Sequence, residues 1–277
     1  MMLNNLNTEQ LLVLITLIMT HLCNGMCVSL QAPFYTAEAS KKGASGTECG
    51  LVFGIFELTV FIVSPIIGKY LPTFGIGRAF SGGITITGAM CVAFGFLNKI
   101  NNVTVFIGLS FIIRIFEALG NSSFLASSFT LVAQMFPLRV STVFGVVEMS
   151  FGVGMILGPT VGGSLFQIGG FTLPFAVLGG ILLVQAAIST RTLPIMNNNF
   201  SENSSTGSKY GIRQAMKIPS VLLATSSVFS ASIAVGALQV KLITTKSKLI
   251  IFHFKSNFEW SDLTSIITIF RQPLRGT

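Results

Sequence analysis

The sequence predicts an all-α membrane protein with several transmembrane helices, and three observations support this. About 51% of the 277 residues are hydrophobic and only 9% are charged, whereas a soluble domain carries roughly a quarter charged residues. The mean hydropathy is +0.77. Several apolar segments reach the ~20 residues that a helix needs to cross the hydrocarbon core. A soluble nucleic-acid-binding protein, a disordered chain and a disulfide-stabilised fold are therefore excluded.

Seven apolar segments qualify as membrane helices. No basic residue precedes the first segment, and it is longer than the apolar core of a signal peptide. We therefore expect it to be retained as a membrane helix and not removed as a signal peptide. The fourth segment continues more weakly to Met135. The predicted segments are Leu11–Phe34, Gly50–Gly68, Ala79–Leu97, Val103–Phe124, Val143–Phe166, Leu173–Thr190 and Ser220–Val240.

The order of these segments predicts four regions. Residues 1–194 form a six-helix bundle, and residues 195–217 form a polar linker because they are rich in Asn and Ser. Residues 218–240 form a seventh helix. Residues 241–277 form a divergent basic tail without a further span. The tail is either an amphipathic segment at the membrane surface or non-native sequence from a truncated or mis-spliced reading frame.

The positive charges predict the orientation in the bilayer. Cytosolic loops carry an excess of Lys and Arg. With a cytosolic N-terminus, the cytosolic connections hold Lys69, Arg78, Arg139, Arg191, Lys209, Arg213 and Lys217, and the opposite ones hold Lys41, Lys42 and Lys99. We therefore expect the N-terminus and the long linker in the cytosol. The net charge of +8 is scattered among apolar runs, so we expect the lipid bilayer, and no nucleic acid, as a partner.

The fifth predicted helix carries glycines at a helical spacing. Gly154, Gly158 and Gly162 recur every four residues and share one face, which allows a neighbouring helix to approach closely. Pro159 removes a backbone hydrogen bond and is expected to bend the helix. We expect a tight packing seam here, along which two helices could also rock during transport.

These residues, with Gly145 and Gly163, occur at the spacing of the antiporter motif of the major facilitator superfamily, which the sequence resembles. The resemblance implies proton-coupled exchange. The segment 68–78 is similar to the gating loop of that superfamily, with Gly68, Gly75 and Arg78 in place. Pro72 and Thr73 stand where an acidic and a basic residue are usual. Arg114 matches the intramembrane arginine that the superfamily links to proton transfer.

Within the superfamily the chain resembles the vesicular amine transporter family, and particularly its vesicular polyamine transporter branch. The resemblance covers roughly residues 8–238 and rests on the segments 41–45, 50–54, 68–71, 148–152 and 157–159. It implies the N-terminal six-helix half of a major facilitator fold plus about one helix of the second half. It also implies an intracellular vesicle membrane, and a substrate site between the halves that this chain cannot build alone.

Four charged residues fall inside predicted spans: Glu57, Arg114, Glu117 and Glu148. A charged side chain at the centre of a membrane helix costs about 2.5–3.5 kcal/mol of insertion free energy. Each of these four residues therefore needs a partner or a role. Arg114 and Glu117 share a face and form either a neutral pair that holds helices together or a proton-responsive pair. Glu57 is either a cation or proton site or a bond to a neighbouring helix. Glu148 either contacts the gating loop or receives cations from the cytosol.

The first predicted helix adds His21 and Asn24 on one face. The monoamine branch of the family carries an aspartate in this region, so Asn24 argues against a monoamine and leaves Glu57 and Glu117 to attract a cation. We expect His21 to serve as a hydrogen-bonding residue. The sequence contains no metal-binding pattern or catalytic set, and no cofactor is implied, since a proton gradient supplies the energy.

Two functions remain open. The first is a proton-coupled antiporter that exchanges protons for a small organic cation, a polyamine or related amine. The second is a truncated, non-transporting isoform or an incomplete gene model, either inert or acting by pairing with a full-length copy.

Overall fold

The structure is a computed structural model that describes residues 7–193. Within that range it contains six helices, all long and apolar enough to cross a membrane, and no strand. The all-helical prediction is therefore confirmed for the part of the chain described. The predicted seventh helix, linker and tail lie outside these residues. The helices are α1 (Thr8–Lys41), α2 (Gly46–Phe74), α3 (Ile76–Gly95), α4 (Val103–Met135), α5 (Val140–Gly169) and α6 (Thr172–Thr192).

Polar capping residues set the starts of three helices. Asn7 and Gln10 form a capping box at the start of α1, and Ser45 and Glu48 form another at the start of α2. The side chain of Asn102 accepts from two backbone amides at the start of α4. Such caps satisfy backbone donors that have no partner inside the helix. As a result, α1 and α2 begin three and four residues before the apolar segments predicted for them, whereas α4 begins at Val103 as predicted.

The connection between the first two helices is much shorter than predicted. Residues 35–49 were expected to join them, but α1 continues to Lys41 and α2 begins at Gly46. Pro33 lies inside α1 without ending it. The prediction was wrong because polar residues beyond the hydrocarbon can stay helical while hydropathy falls.

The segment expected to be an open gating loop is a tight corner between helices. Gly68 lies in α2, Arg78 lies in the first turn of α3, and Gly75 alone separates the two helices. Gly75 has a φ of +84°, a backbone conformation that is unfavourable for any residue with a Cβ atom. All of residues 68–78 except Gly75 therefore belong to α2 or α3.

The six helices of the described residues pack against one another in a few main pairs. The helix α1 packs along α5, α3 packs between α4 and α6, and α2 packs against α4. The largest buried side chains are mostly aromatic and include Tyr35, Phe80, Phe94, Phe106, Phe124 and Phe175. In contrast, α2 and α5 leave large apolar side chains exposed on the described residues, such as Phe61, Met149 and Ile156.

Lys42 joins the end of α1 to the connection after α3. Its Nζ donates to the backbone oxygens of Asn98 (3.0 Å) and Ile100 (2.7 Å), and it lies 3.7 Å from the carboxylate of Glu38. Only 11% of the side chain is exposed. Its neighbour Lys41 also pairs with Glu38, at 3.3 Å, but is 66% exposed.

Replacing Lys42 by methionine is expected to lower the free energy of unfolding by about 1.5–3 kcal/mol, because two part-buried backbone carbonyls lose a charged donor. Lys41→Met is the matched control and should cost no more than about 1 kcal/mol, as exposed ion pairs do. Denaturant unfolding of the purified chain in mild detergent measures both. Equal losses for the two variants would contradict this role of Lys42.

Candidate functional site

The three regularly spaced glycines of α5 lie directly against α1. A Cβ on Gly154 would collide with the backbone oxygen of Leu22, and one on Gly158 would collide with Ser29 and with the backbone of Met26. Gly162 lies against the side chains of Leu30 and Phe34. The structure therefore builds the close helix approach that the spacing predicts.

The α1 side of this seam contains a residue that sequence reasoning missed. Gly25 is buried, and a Cβ there would collide with the backbone oxygen of Phe151 on α5. The seam thus has a glycine on each helix. A single glycine in an apolar helix gives little sequence signal, since it has no repeat to mark its face.

The remaining motif positions take no part in the seam. A Cβ on Gly145 or Gly163 would meet nothing within 4 Å in the described residues. Pro159 is exposed, and α5 runs through it as one helix from Val140 to Gly169. These positions therefore point away from α1.

A buried ion pair lies on α4. The Nη1 of Arg114 is 3.2 Å from Oε2 of Glu117, with 3% and 1% of the two side chains exposed. The amide Nε2 of Gln31, on α1, donates to the other carboxylate oxygen at 2.5 Å. The carboxylate of Glu117 therefore receives donors from two helices. Buried charges are tolerated when they are paired and hydrogen-bonded in this way.

Three phenylalanines surround the Arg114 guanidinium. Its Cζ lies 4.6 Å from the ring centre of Phe53 and 5.2 Å from those of Phe56 and Phe94. Aromatic faces attract a cation, and more strongly where water is excluded. The sequence could not select these rings among 25 phenylalanines, because three different positions on α2 and α3 meet only through packing.

Glu57 lies on the exposed face of α2. Arg114 interacts electrostatically with both Glu57 and Glu117. Of the described residues, none forms a hydrogen bond or ion pair with Glu57. The structure therefore places one carboxylate inside the bundle, paired with Arg114, and one on the exposed face of α2, where it interacts with the same arginine electrostatically and without direct contact.

Asn24 and His21 belong to a column of hydrogen bonds between α1 and α4. The Nδ2 of Asn24 donates to Oδ1 of Asn121 at 3.1 Å. The Nε2 of His21 is 2.7 Å from Oγ of Ser128. Both α1 side chains are buried, so Asn24 is engaged with α4 inside the bundle. His21 has the hydrogen-bonding position expected of it.

Two other predicted positions lie apart from this cluster. Glu148 is exposed on α5 and, within residues 7–193, takes no part in the contacts of Glu117. Arg78 lines an apolar cavity of about 400 Å³ at the corner between α2 and α3, together with Tyr70, Phe74 and Gly82. The structure therefore brings together Glu57, Arg114 and Glu117, and it adds Gln31 as a hydrogen-bond partner of Glu117.

Comparison with known proteins places this arrangement in a family. Residues 17–270 match the family model of the Major Facilitator Superfamily. The human MFS-type transporter SLC18B1 is 37% identical over 199 residues, which cover 72% of this chain and 44% of that protein. The mouse protein of the same name is 32% identical over 237 residues, covering 86% and 50%. Multidrug resistance protein 1 of Bacillus subtilis is 25% identical over 187 residues, covering 68% and 46%.

The chain spans about half the length of these curated relatives. Their similarity agrees with the resemblance drawn from the helix 5 motif and from the segments shared with the vesicular polyamine transporter branch. By its family match and by the relatives that share most of its sequence, the chain belongs to the Major Facilitator Superfamily and is a multi-pass membrane protein.

Proposed function

We propose that the protein belongs to a proton-coupled antiport system that moves an organic cation, a polyamine or related amine, across a vesicle membrane. Its N-terminus would be cytosolic. The observation that carries the proposal is the pair of carboxylates within reach of one arginine. Glu117 is buried and pairs with Arg114, while Glu57 lies on the open face of α2.

The two carboxylates suit different ions. Glu57 is exposed and accessible to a bulky cation, whereas the buried Glu117 excludes a bulky cation and is suited to a proton. While Glu117 is ionised, it neutralises Arg114. Once Glu117 binds a proton, the charge of Arg114 is uncompensated and repels a cation at Glu57. Proton binding at one carboxylate therefore favours release of the cation from the other.

The relatives supply further support. The mammalian relatives are named MFS-type transporters, and the Bacillus relative is named a multidrug resistance protein, which fits a site for organic molecules. The glycine seam between α1 and α5 provides smooth surfaces on which the two helices can shift during a transport cycle.

A second candidate is that this chain does not transport and instead pairs with a full-length copy. The chain spans about half of its curated relatives, and α2 and α5 expose large apolar side chains. The genomic sequence downstream of codon 240 discriminates the two candidates. A splice donor there, followed by exons for further spans, would support the view that residues 241–277 are non-native.

Replacing Glu57 by glutamine is expected to reduce proton-driven uptake of radiolabelled spermine by about tenfold or more, since roughly 1.4 kcal/mol of charge interaction corresponds to tenfold. The measurement uses proteoliposomes with an imposed proton gradient. They contain a version of the protein completed with the downstream exons. Glu9→Gln is the matched control, because Glu9 is exposed in the first turn of α1.

The 277-residue chain is measured beside the completed version. Uptake by the completed version alone would support antiport and the short chain's inability to transport. Uptake by the short chain would support a site built by several copies. If neither folded protein takes up spermine, the polyamine substrate is wrong.

A further inference from the structure

The amide group of Gln31 has one engaged and one unengaged atom. Its Nε2 donates to Oε1 of Glu117 at 2.5 Å. Its own Oε1 is buried and has no hydrogen-bond partner among residues 7–193, and none of the residue is exposed. A buried acceptor without a partner is unfavourable and rare. The observed orientation of the Gln31 amide therefore suits only one protonation state of Glu117.

That state is the ionised carboxylate. An ionised carboxylate only accepts hydrogen bonds, and here it accepts from Gln31 and from Nη1 of Arg114. A protonated Glu117 has an O–H group that must donate. The unengaged Oε1 of Gln31 is the acceptor that this O–H group needs, and a half-turn of the amide would present it.

We propose that Gln31 adapts to the protonation state of Glu117 by turning its amide, donating to the carboxylate and accepting from the carboxylic acid. When a hydronium ion delivers its proton, an O–H bond forms at Oε1 of Glu117 and water is released. The site gains one positive charge. The amide of Gln31 then turns about its terminal bond, and Oε2 of Glu117 keeps the N–H of Arg114. The inference rests on the proposed function only in that Glu117 binds a proton.

The surroundings of Glu117 contain few other ionisable groups. Arg114 lies on the same helix and Cys27 lies on α1. Arg114 in turn interacts electrostatically with Glu57 on α2 and Cys91 on α3. Among the described residues, Gln31 is the uncharged side chain that hydrogen-bonds to Glu117, and its amide carries both a donor and an acceptor.

The position of Gln31 connects this change to α1. Leu30, its neighbour in the chain, and Phe34 lie against Gly162 of α5. Adjacent residues of α1 thus contact different helices, with Leu30 against α5 and Gln31 against Glu117 of α4. The other three α1–α4 hydrogen bonds, made by Gln10, His21 and Asn24, join uncharged partners on α4 and hold the register of the two helices. Gln31 is thus a positioning residue that links proton binding on α4 to the helix that contacts α5.

Infrared difference spectroscopy of the 277-residue chain in lipid nanodiscs tests this directly. A pH titration in the wild type and in Glu117→Gln identifies the C=O stretching band of protonated Glu117. We expect this band at the low frequency of a carboxylic acid that donates a hydrogen bond. In Gln31→Met, which keeps the side-chain length without polar atoms at its end, the band should move to the higher frequency of an unbonded acid.

The wild type should also show an amide band that shifts between low and high pH and is absent in Gln31→Met. Thr20→Val is the control, because Thr20 is equally buried on α1 and bonds only within its own helix, to the backbone of Thr16. Its spectrum should match the wild type. Gln31→Leu is a second variant, and whichever of the two folds by size-exclusion chromatography decides the outcome.

The outcomes separate the two proposals. A Glu117 band that is present but unchanged in both Gln31 variants would overturn the role of Gln31 and leave the proton site intact. The absence of any Glu117 band across the titration would overturn the proton site itself, and the role of Gln31 with it.

Discussion

Replacing Gly154 by leucine will separate α1 from α5 and lower the free energy of unfolding by at least about 3 kcal/mol, at or beyond the usual range for overpacking. A Cβ at this position already collides with the backbone oxygen of Leu22. Backbone atoms in the middle of a helix cannot move aside as the tip of a side chain can. The whole of α1 must therefore shift.

Gly163→Leu is the matched control for this prediction. It lies on the same helix, and a Cβ there meets nothing within 4 Å in the described residues. Glycine in a helix interior costs about 0.5–1 kcal/mol relative to alanine, so this variant should be neutral or slightly more stable. Denaturant unfolding in mild detergent gives both values. Similar losses for the two leucines would mean that the seam does not carry this stability.

Replacing Arg114 by methionine is expected to lower the free energy of unfolding by about 3–5 kcal/mol, because it leaves a buried carboxylate without its charged partner. The substitution also removes the contacts of the guanidinium with Phe53, Phe56 and Phe94. Removing both charges, as in Arg114→Met with Glu117→Gln, should recover most of this loss, since no isolated charge then remains. Unfolding measurements on both single variants and the double variant form a double-mutant cycle.

The sign of the coupling decides the interpretation. A double variant more stable than Arg114→Met alone would support a pair whose members are costly only when separated. Strictly additive losses would show that Arg114 and Glu117 act independently, and the buried pair could not then serve as one unit in transport.

Helix identity and the glycine face followed from local patterns, because hydropathy and a spacing of four residues are visible along the chain. Helix bounds did not. Lys41 and Gly46 lie outside the apolar runs but inside α1 and α2, where capping residues decide the ends. The same limit explains why Gly75 alone forms a corner that looked like an open loop.

The charged pair was predictable because Arg114 and Glu117 are three residues apart on one helix. Its surroundings were not. Gln31 reaches Glu117 across 86 residues of sequence, and no spacing rule connects positions on different helices. The same holds for Asn24, whose bond to Asn121 on α4 joins two positions that no pattern along the chain connects.

The polar column between α1 and α4 also bears on how the protein is made. Asn24 and Asn121 are separated by 97 residues, which a ribosome needs about 5–20 s to translate at roughly 5–20 residues per second. During that interval His21, Asn24 and Gln31 have left the ribosome without their α4 partners. Unpaired polar groups are unfavourable in lipid. The polar groups of the first helix therefore gain their partners only when the fourth helix arrives.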